Sequence, residues 1–263
     1  MRITTLATAL AIMAIAVGCG AKKQPTGESG SQPVEMLLYC GAGLRPVADE
    51  LVRMFTSTHN VKIATDYAGS EVLLAKMRLV RKGDLYLPGD RYYVDQAVQA
   101  NMVLSQTPVC YFAPTILVQK GNPKNIHSLR DLTGPGLKIG LGDPQACAIG
   151  KETRQLLDKN HISWQDIEKN VVFQSLTVNE LGLQIQAKAL DAVIVWDAIA
   201  KYYPDDGTEI PIPAQMNVIS TVDLAVLSFT RNRSLAEQFT RFAASEQGRA
   251  IFRKHHYTVA RPN

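Results

Sequence analysis

Short apolar runs alternate along this chain with stretches whose apolar residues recur at helical spacing, and glycine-rich turns join the two. Glu35 to Cys40 (EMLLYC) reads as a strand running into Gly41-Ala42-Gly43. Leu44, Val47, Ala48, Leu51, Met54 and Phe55 then follow at helical spacing, with Pro46 in the first turn. Val61 to Tyr67 alternates as a second strand, a helix follows from Glu71 to about Leu79, and Asp84 to Leu87 is a third strand before a helix near Tyr93 to Ala100. Cys110 to Gln119 is a long apolar strand that Pro114 interrupts, which argues against a central, fully paired position. Further strands are expected at Lys138–Leu141, Val171–Phe173, Ala192–Trp196 (AVIVW, buried on both faces) and Asn217–Phe229, with Ile210–Ala214 extended. Helices are expected at Lys151–Asp158, Asn179–Ala189 (inward face Leu181, Leu183, Ile185, Ala189), Leu235–Ala244 and Gln247–His255. Such alternation predicts an α/β protein with mostly parallel sheets. Ligands bind such sheets where strands end and helices begin.

The first residues, MRITTLATALAIMAIAVGC, predict a signal peptide over 1–18: Arg2, an apolar run from Leu6 to Val17, then small residues before a cysteine. The run is short for a membrane span. Ala16-Val17-Gly18-Cys19 resembles a bacterial lipoprotein box, which implies lipidation of Cys19 and anchorage at the periplasmic or extracellular face of a bacterial membrane. Residues 19–33 then form a polar, flexible tether. The rest is long enough for one large domain or two lobes. A net charge of +4 without a long basic run excludes nucleic acid as the partner and suits a small anionic ligand. Of the four cysteines, Cys40, Cys110 and Cys147 remain if Cys19 is lipidated, so at most one disulfide forms; no zinc spacing is present and buried free thiols are expected. No metal or cofactor is called for.

Five segments carry a family resemblance: CGAGL at 40–44, YAGS at 67–70, GDLYLPGD at 83–90, GDPQACAIG at 142–150 and AVIVWDA at 192–198. Their order and spacing resemble the periplasmic molybdate/tungstate-binding proteins of ABC importers. The resemblance implies a two-lobed periplasmic binding protein fold, each lobe a mostly parallel sheet flanked by helices, with two hinge crossings near Cys110–Pro114 and Pro211–Val218. Lobe one would comprise 34–112 plus 221–263, and lobe two 113–220. It also implies a monomer that captures molybdate or tungstate between the lobes and hands it to an ABC permease and its ATPase, without catalysis.

A tetrahedral dianion must be desolvated without an unpaired buried charge. Amide N–H and hydroxyl donors at helix starts meet that need, because orphan amides and the helix dipole point at the ligand. Ser70 matches a family serine that donates its hydroxyl; a plain helix N-cap is the other reading. Gly43 stands where the family usually has a second serine, keeping the amide but losing a hydroxyl, or simply forming a tight turn. Ile149 and Val178 match positions that donate backbone N–H, and otherwise read as ordinary helix starts. Trp196 stands where many relatives have tyrosine; its indole N–H donates, or it packs in the core. Arg45, in the first turn of a helix, either replaces the donor missing at Gly43 or is a solvated cation. Asp143 and Asp197 are read as orienting loops or capping turns, and Cys40 and Cys147 as thiols facing each other across the cleft, either a soft-metal pair or, in the favoured reading, buried and inert.

Two other classes are open. A ferric-type metal binder of the same architecture would use adjacent tyrosines, and Tyr92-Tyr93 and Tyr202-Tyr203 are present. An anchored structural protein would bind no ligand. An enzyme is disfavoured: there is no GxSxG, HExxH or catalytic carboxylate pair, and His255-His256 reads as part of a basic solvated face.

Overall fold

The computed structural model describes residues 32–261. The expected signal peptide and Cys19 lie outside the described residues. In chain order the elements are β1 (Val34–Gly41), a 3-10 turn (Ala42–Leu44), α1 (Arg45–Thr56), β2 (Val61–Ala68), α2 (Ser70–Val80), β3 (Leu85–Leu87), α3 (Arg91–Gln99), β4 (Val103–Phe112) and β5 (Pro114–Gln119). A 3-10 turn (Arg130–Thr133), β6 (Ile139–Gly142), α4 (Ala148–Lys159), α5 (Trp164–Glu168), β7 (Val171–Ser175), α6 (Val178–Gln186), β8 (Ala192–Trp196) and α7 (Asp197–Ala200) follow. The described chain closes with β9 (Gly207–Pro211), β10 (Ser220–Leu227), α8 (Arg233–Ala244) and α9 (Glu246–Lys254).

Two five-stranded sheets result, ordered β2-β1-β3-β10-β4 and β7-β6-β8-β5-β9, each flanked by helices. β1 is parallel to β2 and β3, and β6 is parallel to β7 and β8. β10 and β5 are antiparallel to both of their neighbours while the other four strands of each sheet share one direction, so the sheets are mostly parallel, as expected, each with one reversed strand. The reason is topological: each sheet takes in strands that run directly on from the other, and these enter head to tail.

Local chemistry explains most elements. On α1, Val47, Ala48, Leu51 and Phe55 are buried, one face of a helix. All five residues of β8 are buried, as expected of a strand covered on both faces. Three expectations need correction. β5 is paired on both sides, because Pro114 is its first residue, where a missing amide costs no ladder bond. β4 extends back to Val103 through a polar stretch that has no apolar pattern; it is an edge strand, and Pro108 sits at a bulge against Val222 and Asp223. On α6 the inward face is Val178, Leu181, Gly182 and Ile185, whereas Leu183 is exposed, lying two residues and about 200° around the helix from Leu181.

Ala113 alone separates β4 from β5, and residues 212–219 link β9 to β10. Asn217 ties the two links together by donating from Nδ2 to Pro114 O at 2.8 Å. Asp197 braces the first link: its amide donates to Ala113 O at 2.8 Å, and its Oδ1 accepts from Ala113 N at 3.2 Å and Ala198 N at 2.9 Å. Burial pushes the Asp197 carboxyl up to about 6, against the pull of those amides. A carboxyl raised on folding stabilises fully below about pH 4 and loses that contribution as pH rises through its folded value. Asp197→Asn keeps an acceptor at Oδ1 but removes this titration. Relative to wild type, it should gain about 2 kcal/mol between pH 4 and pH 7. Denaturant midpoints across that range read the difference; parallel profiles would show that Asp197 does not titrate there.

Candidate binding site

Four chain turns converge on a cavity of about 20 Å³. Gly41–Leu44 follows β1, Ala68–Ser70 follows β2, Cys147–Ile149 opens α4, and Thr177–Val178 opens α6; Gly89, Phe112 and Trp196 complete the wall. None of these residues is charged. That space is on the order of one or two water molecules, so only a small solute fits unless the surrounding turns move.

Each turn is held by its own chemistry. Tyr257 donates its hydroxyl to Gly43 O and fixes the 3-10 turn after β1. Asp143 shapes the α4 turn: its carboxylate accepts from Gln145 N at 2.7 Å and its carbonyl from Ala146 N and Cys147 N. Its amide donates to Ser175 O at 2.8 Å, joining this turn to the one before α6. There the Ser175 hydroxyl contacts Thr177 O and the Glu180 carboxylate.

Gly69, not Ser70, is the N-cap of α2, and Ser70 is its first helical residue. The buried Ser70 Oγ accepts from Gly89 N at 3.0 Å, which leaves its proton to donate elsewhere. The amides of Ser70, Ile149 and Val178 lie in the first turns of α2, α4 and α6, and none finds an acceptor among the described residues. Trp196 is buried and stacked on Phe112, centroids 4.8 Å apart and planes 6° apart, with Nε1 beside Gly89. That indole N–H also has no acceptor among the described residues. Burial pushes the Cys147 thiol up to about 11, so it lines the cavity uncharged.

Gly43, Ser70, Ile149, Val178 and Trp196 are therefore brought together. Arg45 is not: it is exposed, its guanidinium lies 3.9 Å over the Tyr67 ring, and it is absent from the cavity wall. The face of an aromatic ring satisfies the cation there. Cys40 is buried behind the wall rather than on it, and both tyrosine pairs lie elsewhere. Among the wall residues not expected to bind ligand are Gly89, which lies in the GDLYLPGD segment, and Phe112, which stands within an apolar run where an aromatic reads as core.

The helix starts approach closely enough to exclude side chains. A Cβ at Gly69 would sit 2.4 Å from Ala146 O and 2.6 Å from Leu176 O, and Glu71 N donates to Ala146 O at 3.2 Å. A Cβ at Gly43 would sit 2.7 Å from Val178 Cγ1, so the serine expected of relatives has no room while that methyl holds its place. Among the described residues no helix is long and apolar enough to cross a membrane, and no group of three or more His, Cys, Asp or Glu side chains is placed to hold a metal.

A cavity of unshared donors between two α/β sheets defines a protein built to hold a solute. Residues 36–258 match the model of the bacterial extracellular solute-binding proteins, and the chain belongs to that family of binding proteins. It is 25% identical over 255 residues to the molybdate-binding protein ModA of Mycobacterium tuberculosis, covering 94% of each chain. The periplasmic molybdate-binding protein of Azotobacter vinelandii shares its fold with a TM-score of 0.73 at 16% identity, over 86% of this chain and all of that one. The sulfate-binding protein SubI of M. tuberculosis does so with a TM-score of 0.76 at 16% identity, over 87% and 88%.

Gly69→Ala should fold, yet hold the α2 start away from Ala146 and Leu176. Overpacking of this kind predicts roughly a tenfold loss in affinity for the solute the cavity holds. Calorimetry beside an unchanged circular dichroism spectrum checks this; wild-type affinity would show that the seam tolerates a methyl group.

Proposed function

We propose that this protein is the substrate-binding component of an ABC importer, and that it captures a tetrahedral oxyanion, molybdate or tungstate, for delivery to a permease and its ATPase. The observation that carries the proposal is the cavity itself: a small space walled by first-turn amides, the hydroxyl residues Ser70 and Thr177 and one indole N–H, with no charged side chain. Neutral donors of this kind replace the water shell of a dianion without a buried counter-charge. A ferric-type site would need carboxylate, imidazole or phenolate ligands, and none lines the cavity. Two of the relatives are named for molybdate and for sulfate, both tetrahedral dianions.

In this reading lobe one is 34–112 plus 221–263, lobe two is 113–220, and the links at Ala113 and 212–219 are the hinge. The protein acts as a monomer anchored through lipidated Cys19 in the cell envelope. Ligand selects the closed form because only there do both sets of donors reach it.

Calorimetry on the purified protein should give tight binding of molybdate or tungstate and weak binding of sulfate and phosphate; tight binding of sulfate alone would reassign the ligand. Ser70→Ala should weaken binding by about 1–3 kcal/mol, the scale of a hydrogen bond to a charged group. Trp196→Phe keeps the stack on Phe112 but removes Nε1–H, and should cost about as much. If neither substitution moves the affinity, oxyanions do not bind in this cavity.

A further inference from the structure

The two ends of the first sheet differ in chemistry. β1 runs from Val34 to Gly41, so its C-terminal end delivers the chain to the cavity and its N-terminal end lies about 25 Å away along the strand. Around that far end two adjoining hollows, of about 600 and 410 Å³, share Glu35, Lys82, Gly83 and Asp84. Arg81 and Arg231 line the first, and Lys62 lines the second.

Arg81, Lys82, Lys62 and Arg231 are all exposed, and none has an ion-pair partner among the described residues. Arg81 packs over the Phe229 ring at 5.2 Å. Of the acids in these hollows, Asp84 is buried and both its oxygens are engaged, by Leu37 N and Thr230 Oγ1. Two acids, Glu35 and Asp84, thus face four cations, which leaves the hollows an excess of positive charge. Beside them, at the end of α2, Leu79 is 85% exposed and Val80 is also exposed, with Val34 exposed at the start of β1. Unpaired cations next to projecting apolar side chains suit a phospholipid surface better than they suit water.

We propose that this pole is a membrane seat: Arg81, Lys82, Lys62 and Arg231 rest on anionic lipid headgroups while Leu79 dips between them. The inference rests on the anchor reading of Cys19. A lipid at residue 19 leaves a tether to residue 33 that enters the fold at this same pole, with a reach of at most about 50 Å. Seated this way, the protein turns its cavity away from the lipid, toward the side from which solute arrives. Delivery to a permease then requires it to lift off on its tether.

The test uses the full, lipid-bearing chain in vesicles. Leu79→Cys carries an environment-sensitive fluorophore, and labelling is selective because Cys40, Cys110 and Cys147 are buried. In vesicles of phosphatidylcholine with phosphatidylglycerol, emission should shift to the blue, and the shift should collapse in high salt and in Lys82→Glu/Arg231→Glu. In vesicles of phosphatidylcholine alone it should be absent. Unshifted emission in the anionic vesicles, or an equal shift in both kinds, would overturn the seat. Competition by soluble glycerol phosphate at low concentration would instead mark a site for a free anion. Flotation of the protein with the vesicles reads the anchor separately, so failure of the seat and failure of the anchor are distinguishable.

Discussion

A backbone N–H in the first turn of a helix has no carbonyl of its own helix to bond, and burying it unsatisfied costs on the order of 1–3 kcal/mol. This protein buries several together. α2, α4 and α6 all begin at one cavity, drawn from both sheets, and their unshared amides face a space too small for a bulk of water. The supporting interactions make sense from this constraint. Asp143, Ser175, Glu180 and Tyr257 spend their hydrogen bonds on holding turns, so that the amides stay aimed where no protein group meets them. Ser70 is arranged likewise: Gly89 N satisfies its oxygen, which orients a hydroxyl that would otherwise rotate freely.

The same demand shapes the packing. Donors from two sheets converge only if the backbones between them come very close, and Gly69 lies where no Cβ would fit against Ala146 and Leu176. Gly43 and Val178 show the reciprocal case, in which a methyl group from one side occupies the space a side chain would need on the other. Trp196 is held flat by Phe112, so its indole is positioned by packing rather than by a hydrogen bond. Rigid, prearranged donors lose little entropy when a ligand arrives.

Much of this was legible in the residues. β1 and β8 stand out because buried strands are continuous apolar runs, and α1 because its apolar face repeats. The turns after β1 and β2 and before α4 carry glycine or small residues, and five of the six expected ligand residues do meet at the cavity. What was not legible has physical reasons. The first half of β4 is a half-solvated edge whose polar residues carry no pattern. Whether Arg45 turns toward the cavity or over Tyr67 depends on a side chain from another strand, which spacing cannot show. Phe112 and Gly89 belong to the wall only because of the way the chain folds back. The one reversed strand of each sheet, β10 or β5, follows from the links between the sheets, which strand-helix alternation does not reveal.

Asn217, in the second link, bonds Pro114 O at the start of β5, directly after the first link, and Lys159 and Asn160 of the α4 end hold its neighbourhood through Asn217 O and Met216 O. A substitution at Asn217 would therefore reach both links at once, freeing Pro114 O and loosening the hold of the α4 end on residues 216–217.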